Sequence, residues 1–312
     1  MIIGTGVVMR KRLVVVCQSG EMSFDVVVVG SANLDLVTQL DRLPLPGETL
    51  RATSYAEYAG GKGLNQAVAC ARMGAHTAFV GCLGNDDAGT YLRKILEVEG
   101  VDITQLKFVD APTGRAFISV DAHGENSIVV VSGANAFVGS DVARFQIPVG
   151  KIVLAQLEVP QVVIAAAFSQ AHRQGSQTVL NPAPAAPLTV DVLSSTDVVV
   201  LNETESLALG GAEKIMAAGV GNVFVTLGEL GADIFSDQTR IHVEAIEVNP
   251  IDTVGAGDAF IGALCAELAL GVSMREACET ASVAGALATT VRGAVPSLPT
   301  RAAVTAAKGK RK

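Results

Sequence analysis

Asp25-Val26-Val27-Val28-Val29-Gly30 places four consecutive β-branched residues between an acid and a glycine. A strand with one wet face alternates apolar and polar side chains, whereas an unbroken apolar run of this length is a strand covered on both faces, as in parallel sheets between helical layers. Similar short runs recur at 79–80, 151–154, 177–180, 197–201 and 223–227, with helical stretches at 63–73, 87–99 and 161–174 between them. Strand alternating with helix predicts an α/β fold, a Rossmann-like three-layer α/β/α arrangement around a mostly parallel sheet.

Two regions break the rhythm. Segments 34–40, 49–58, 113–121 and 127–131 mix polar and apolar residues in rough alternation, punctuated by Pro44, Pro46, Gly47 and Gly124. They predict four antiparallel strands forming a small β-lid outside the main sheet. The Ala-rich stretches 256–270 and 274–291, with Phe260, Ile261, Leu264 and Leu268 near helical spacing, predict two helices packed on one face of the sheet. The expected organisation is one domain over 23–302, with lid strands at about 34–58 and 113–131, preceded by an extension over 1–22 and followed by a basic tail over 303–312.

Composition narrows the partners. The 312 residues are 49% apolar and 17% charged, enough for a large core. A net charge of −8 disfavours broad attraction to nucleic acid or an anionic membrane, so the expected partner is small. No apolar run approaches the roughly 20 residues that span a bilayer. Arg10-Lys11-Arg12 followed by 13–17 imitates a signal peptide with too short an apolar centre. The five cysteines (Cys17, Cys70, Cys82, Cys265 and Cys278) show no metal spacing and fit free or buried thiols in a reducing, cytoplasmic compartment.

Asp252-Thr253-Val254-Gly255-Ala256-Gly257-Asp258 is a small-residue turn opening into a helix. Its backbone N–H groups and the positive helix end would suit the charge on a phosphoryl group in transfer, and Asp258 would accept a proton from a substrate hydroxyl. By itself the segment favours a plainer reading, a helix start in which Asp258 complements the dipole, because glycine turns before helices are common. Gly60-Gly61-Lys62-Gly63-Leu64-Asn65-Gln66 also leads into a helix and allows close backbone approach to a ligand, although a plain turn fits it equally well. No Walker A and no dinucleotide fingerprint occurs. At strand ends stand Asn33 and Asp35, Glu158, and Asn202-Glu203-Thr204-Glu205. These residues could grip vicinal hydroxyls or hold Mg²⁺ and its waters; Asx turns and helix capping by Asn202 are the alternatives.

Taken together and in order, these segments resemble the PfkB sugar-kinase family, in its ribokinase-like branch. The resemblance runs over about 25–297 and is carried by Gly60 to Gly74 (GGKGLNQAVACARMG) and Asp252 to Phe260 (DTVGAGDAF). Between them lie Leu45-Pro46-Gly47-Glu48-Thr49, Gly133-Ala134-Asn135, Gln156-Leu157-Glu158 and Asn181-Pro182-Ala183-Pro184. The resemblance implies ATP-dependent phosphorylation of a small sugar, with ribose and its 5-hydroxyl favoured. It implies that Asn33, Asp35, Gly61, Lys62, Asn65 and Glu158 surround the sugar and that Asp258 is the base. It further implies an anion hole at Gly255, Ala256 and Gly257, Mg²⁺ and phosphate organised by Asn202 and Glu205 (the metal through water), and a nucleotide site at Thr226, Gly228 and Gly257. A loop for a monovalent cation, expected to be K⁺, is matched by Asp252, Val254, Ala288, Val291, Gly293 and Ser297. A homodimer through the lid is expected on other grounds, because four exposed antiparallel strands with apolar residues on one face need cover. Three features depart from the pattern: a short, glycine-bearing 205–226 segment, Arg115 where an apolar lid residue is usual, and the extension before Met22. A kinase for deoxyribose, fructose or a nucleoside, or a non-catalytic sugar-binding protein, remains open on sequence alone.

Overall fold

The computed structural model describes residues 24–237 and 239–309. In chain order the strands are β1 (Phe24–Val29), β2 (Asn33–Gln39), β3 (Ser54–Gly60), β4 (Thr77–Gly84), β5 (Leu106–Val109), β6 (Gly114–Val120), β7 (Asn126–Val131), β8 (Gly150–Gln156), β9 (Gln177–Asn181), β10 (Val198–Asn202), β11 (Asn222–Thr226), β12 (Ala232–Ser236) and β13 (Thr239–Val243). The helices are α1 (Lys62–Arg72), α2 (Asp87–Val98), α3 (Gln161–Gln174), α4 (Val190–Ser194), α5 (Glu203–Leu209), α6 (Ala212–Ala217), α7 (Ala256–Ala269), α8 (Met274–Ala288), α9 (Ala294–Ser297) and α10 (Arg301–Lys308).

Nine strands form the main sheet in the order β13-β12-β11-β10-β9-β8-β1-β4-β5. It is parallel from β11 to β5, and β12 and β13 add antiparallel. The valine run of β1 lies in the middle with Val26 to Val29 all fully buried. Its alternate residues divide between two cores. Val26 and Val28 pack with α1, α7 and α8 on one face, and Val27 and Val29 with α3 on the other. This two-sided burial is why the run carries no polar alternation.

Helices α1 and α7 meet closely. A Cβ on Gly262 would lie 2.3 Å from Ala69 Cβ and 2.9 Å from the Cys70 nitrogen, so the two backbones approach as near as a glycine allows. Each helix delivers a residue to the site from its first turn, so this contact sets their separation.

The lid is a four-stranded sheet, β3-β2-β6-β7. Its outer pairs, β2·β3 and β6·β7, are antiparallel as expected, but the central β2·β6 pair is parallel, Asn33 facing Gly114 and Asp35 facing Ala116. The reason is topological: β2 leaves the main sheet at the end of β1 and β6 at the end of β5, so both set out in one direction.

Three further expectations are modified. The 205–226 segment keeps helix in two short pieces, α5 and α6, broken at Gly210 and Gly211, both at positive φ. Arg115 shares a lid face with Leu34, opposite the face of Asp35, and pairs with Asp86, the N-cap of α2, at 3.8 Å, so it stands away from the Asp35 side. The domain also does not stop at 302: α10 continues it, with Val304 in the core and Lys308 Nζ donating to Thr280 Oγ1 at 3.0 Å. The expected extension over 1–22, with Cys17, and the last residues of the basic tail lie outside the described residues; Cys70, Cys82, Cys265 and Cys278 are buried and free. Among the described residues no helix is long and apolar enough to cross a membrane.

Candidate active site

The site forms outside the carboxyl ends of β1, β8, β9, β10 and β11, where open α/β sheets collect ligands because the loops there splay apart. Two helices begin at it. Gly61 caps α1 at φ +87°, and a Cβ there would lie 2.7 Å from the Asn33 nitrogen. Gly255 caps α7 at φ +81°. Only glycine takes these turns readily. The first-turn amides of α1 are already taken, Lys62 N–H by Glu158, Gly63 N–H by Ser31 Oγ at 3.3 Å and Leu64 N–H by the Ser31 carbonyl at 2.8 Å, so it is the mouth of α7 that has amides to offer.

Asp258, in the first turn of α7, is 8% exposed. Its Oδ2 accepts a 2.9 Å hydrogen bond from Asn65 Nδ2, and its Oδ1 one of 2.9 Å from Gln66 Nε2, both on α1. Asn65 Oδ1 is buried without a partner, an acceptor left over for a ligand hydroxyl. Lys62 lies among carboxylates: burial pulls its ammonium down, but Asp258, Glu158 and Glu205 outweigh that and hold it above the ordinary lysine value. Glu158 Oε2 takes the Lys62 backbone N–H at 3.0 Å and the Ser31 hydroxyl.

Asn33 is buried, its Oδ1 accepting from Asn135 Nδ2 at 2.7 Å, while Asn135 Oδ1 takes the Ala32 N–H at 3.0 Å. Asp35 lies over Gly60, where a Cβ would fall 2.1 Å from Asp35 Oδ2. Burial first, then the charges of Glu158 and Asp258, push the Asp35 carboxyl up to about 7. Among the described residues it receives no side-chain or backbone hydrogen bond. It is a half-buried acid with both oxygens able to accept.

A cavity of about 220 Å³ is lined by Lys62, Asn181, Asn202, Glu205, Gly255, Gly257 and Asp258. It adjoins a larger one of about 1020 Å³, lined by Gly228, the 245–250 segment, Phe260, Ser282 and Gly285; Thr226, Thr253 and Gly257 border both. The volumes suit a phosphate-sized group leading into a nucleotide-sized pocket. The Gly257 amide, in the first turn of α7, has no helical carbonyl upstream. The Ala256 N–H donates instead to the Thr253 carbonyl at 3.2 Å, so of the three residues expected to form an anion hole this one has its amide already engaged.

Asn202 and Glu205 form a reciprocal capping box on α5: the Glu205 N–H donates to Asn202 Oδ1 at 2.8 Å and the Asn202 N–H to Glu205 Oε2 at 3.0 Å. The capping alternative for Asn202 therefore holds, and Glu205 has Oε1 to offer the cavity. Among the described residues no cluster of three His, Cys, Asp or Glu could cage a metal. A single carboxylate beside a phosphate cavity fits Mg²⁺, which keeps its waters and takes its other ligands from substrate phosphates.

Asp252, Val254, Ala288, Val291, Gly293 and Ser297 are brought together although 36 residues separate Asp252 from Ala288 in the sequence. Asp252 Oδ1 accepts from the Val254 N–H at 3.0 Å and Oδ2 from the Gly293 N–H at 2.8 Å, while Ser297 Oγ donates to the Ala294 carbonyl at 2.8 Å. The two loops are thus laced into one. Ser31, Gln66, Asn135 and Asn181 complete the centre and were not singled out from sequence as site residues, though Gln66, Asn135 and Asn181 stand in the quoted motifs. Spacing alone does not show which way an interior amide points.

Comparison with known proteins defines the class. Residues 23–301 match the pfkB family carbohydrate kinase model, and the chain belongs to that family, the ATP-dependent sugar kinases; the resemblance read from the two glycine segments is upheld. Among individual relatives, a ribokinase of Staphylococcus aureus is 38% identical over 89% of this chain and 97% of its own. The bifunctional ribokinase/ribose-5-phosphate isomerase A of Fructilactobacillus sanfranciscensis is 37% identical over 89% of this chain, which spans 55% of that longer protein. The structure of Arabidopsis thaliana ribokinase complexed with ribose and ATP superposes with a TM-score of 0.82 at 33% identity, covering 92% of this chain and 99% of that one.

Proposed function

We propose that the protein transfers the γ-phosphoryl group of ATP to the 5-hydroxyl of D-ribose, giving D-ribose 5-phosphate and ADP, with Asp258 as general base. One observation carries the reading: a carboxylate at the mouth of α7 is held by two amides of α1, beside an undonated acid and a phosphate-sized cavity that opens into a larger pocket. Similarity to ribokinases supports ribose as the sugar.

In this reading Asp35, Asn33, Asn65 and Glu158 hold the sugar hydroxyls, with the Gly61 turn and Lys62 alongside, and the remaining hydroxyl faces Asp258. The Asp258 carboxylate takes its proton as the oxygen attacks phosphorus. Charge that builds on the phosphoryl oxygens meets the Gly255–Gly257 turn and Lys62. Thr226 and Gly228 border the nucleotide. Mg²⁺, with Glu205 acting through water and Asn202 ordering that turn, would supply charge neutralisation of the phosphates. A K⁺ ion in the 252–254 and 288–297 loops would be held largely by backbone carbonyls, fixing the turn before α7. The lid, with Phe117, Ile128, Val129, Val130 and Val131 exposed, would pair with a second copy, since an uncovered apolar sheet is a liability in water.

Asp258→Asn keeps size and removes basicity, while turning one of the two oxygens that accept from Asn65 and Gln66 into a donor. General-base help is worth ~10²–10⁴-fold, so kcat falls by that range with sugar KM little changed, whereas a dipole-complementing role alone leaves kcat nearly intact. A folded Asp258→Asn protein with more than about a tenth of wild-type kcat refutes the base. ADP release over a panel of pentoses, hexoses and nucleosides tests the sugar; a nucleoside with higher kcat/KM than ribose overturns it.

A further inference from the structure

Behind Asp258 lies a chain of buried amides that the phosphoryl transfer described above does not use. Gln66, fully buried on α1, donates from Nε2 to Asp258 Oδ1 at 2.9 Å and to Asn181 Oδ1 at 3.1 Å. Gln66 Oε1 accepts from Gln156 Nε2 at 2.6 Å, and Asn181 Nδ2 donates to the Val200 carbonyl at 3.0 Å. Five elements (α1, α7, β8, β9 and β10) meet in this one junction.

The polarity of the chain has an unambiguous anchor. A main-chain carbonyl can only accept, so Asn181 must turn its NH₂ toward Val200 and its oxygen toward Gln66. Gln66 must then present its NH₂, because a flipped amide would set its oxygen against the oxygens of Asn181 and Asp258 with no proton between them. Both Nε2 hydrogens are thereby used, one on Asn181 and one on Asp258. Asn65 Nδ2 occupies the other carboxylate oxygen in the same sense. Asp258 therefore receives hydrogen bonds on both oxygens, the one from Gln66 fixed by a chain that cannot reverse, while its remaining lone pairs stay open toward the cavity.

We propose that Gln66, oriented by Asn181, is a positioning residue for the phosphoryl transfer: it holds Asp258 as a proton acceptor and fixes the carboxylate plane against the attacking hydroxyl. This rests on the reading of Asp258 as the base. A hydrogen bond to the charged form favours that form, so removing it makes the carboxylate easier to protonate and freer to rotate. Neither effect touches the groups that hold the sugar.

Gln66→Met keeps length and apolar bulk while deleting both donors. The expected result is a fall in kcat of roughly ten- to hundredfold, the loss set by one charge-assisted hydrogen bond. Sugar KM stays within about twofold, and the acid limb of kcat, at saturating sugar, moves up. Gln66→Glu, nearly isosteric, moves that limb further, since a second carboxylate stands against Asp258; it carries the test if the methionine variant does not fold. In an Asp258→Asn background Gln66→Met adds no further loss of kcat, because its effect passes through that carboxylate, whereas a merely structural role subtracts equally in both backgrounds. Wild-type kcat and acid limb in a folded Gln66→Met or Gln66→Glu protein, or full additivity with Asp258→Asn, overturns the proposal. If Asp258→Asn is inactive while Gln66→Met is unaffected, only this inference falls; if Asp258→Asn stays active, the base itself does.

Discussion

Asp35 offers the sharpest test of how the sugar pocket is built. Its carboxyl is half-buried, without donors among the described residues, beside Glu158 and Asp258, and is pushed up from 3.8 to about 7. A folded-state value above the unfolded one means the folded protein binds the extra proton between those limits, so this group's contribution is most favourable below 3.8 and is lost as pH rises through about 7. Three units correspond to a ceiling of about 4 kcal/mol at pH 8, and the side chain's remaining contact with water trims this to about 2–4 kcal/mol. Asp35→Asn should therefore stabilise the free protein by that amount at pH 8, raising Tm by roughly 4–12 °C, with less than half the gain left at pH 5. The same substitution should weaken sugar binding at pH 8 by roughly ten- to hundredfold, because the ionised acid is the form that hydroxyls satisfy. In the wild type, affinity should tighten from pH 6 to 8 with release of a proton, seen by calorimetry in buffers of different ionisation enthalpy. Denaturation curves across pH 5–9 give the stability arm. An Asp35→Asn protein no more stable than wild type at pH 8, together with flat sugar affinity over pH 6–8, would refute the reasoning.

Gly262→Ala should destabilise by about 1–3 kcal/mol and lower kcat, because the new methyl forces α1 from α7 and parts Asn65 from Asp258; adding Ala69→Gly should recover part of both in denaturant titrations and assays. Arg72 grips both oxygens of Glu99 (2.9 and 2.6 Å) and the carbonyls of Val295 and Leu298 (2.7 Å each). Arg72→Met should cost about 2–4 kcal/mol by stranding them, with little rescue by lysine, whose single ammonium cannot span the set. Light scattering at micromolar concentration should show a dimer that Val129→Glu with Val131→Glu dissociates, and a monomeric wild type would remove the lid pairing. Activity should fall when K⁺ is replaced by a bulky organic cation, and equal rates in both would remove the monovalent ion.

Features that rest on local covalent order were readable in the sequence. The valine run of β1 announced a doubly covered strand, the alternation of strand and helix announced the layers, and the glycine turn before α7 announced an amide-lined helix mouth, because φ preference and side-chain periodicity are properties of neighbouring residues. Helix capping by Asn202 was open as an alternative for the same reason, its partner Glu205 lying three residues on. What only the tertiary structure decided is whatever joins distant segments. The parallel pairing of β2 with β6 depends on where two strands leave the main sheet. The elevated Asp35 depends on burial first and then on carboxylates from the turn after β8 and from α7 closing around it. Gln66 and Asn65 are adjacent on α1, yet their bonds to Asp258 bridge 192 and 193 positions of chain. Helical spacing puts their side chains at different angles around the axis, and only the near contact at Gly262 brings α7 close enough for one carboxylate to receive both amides.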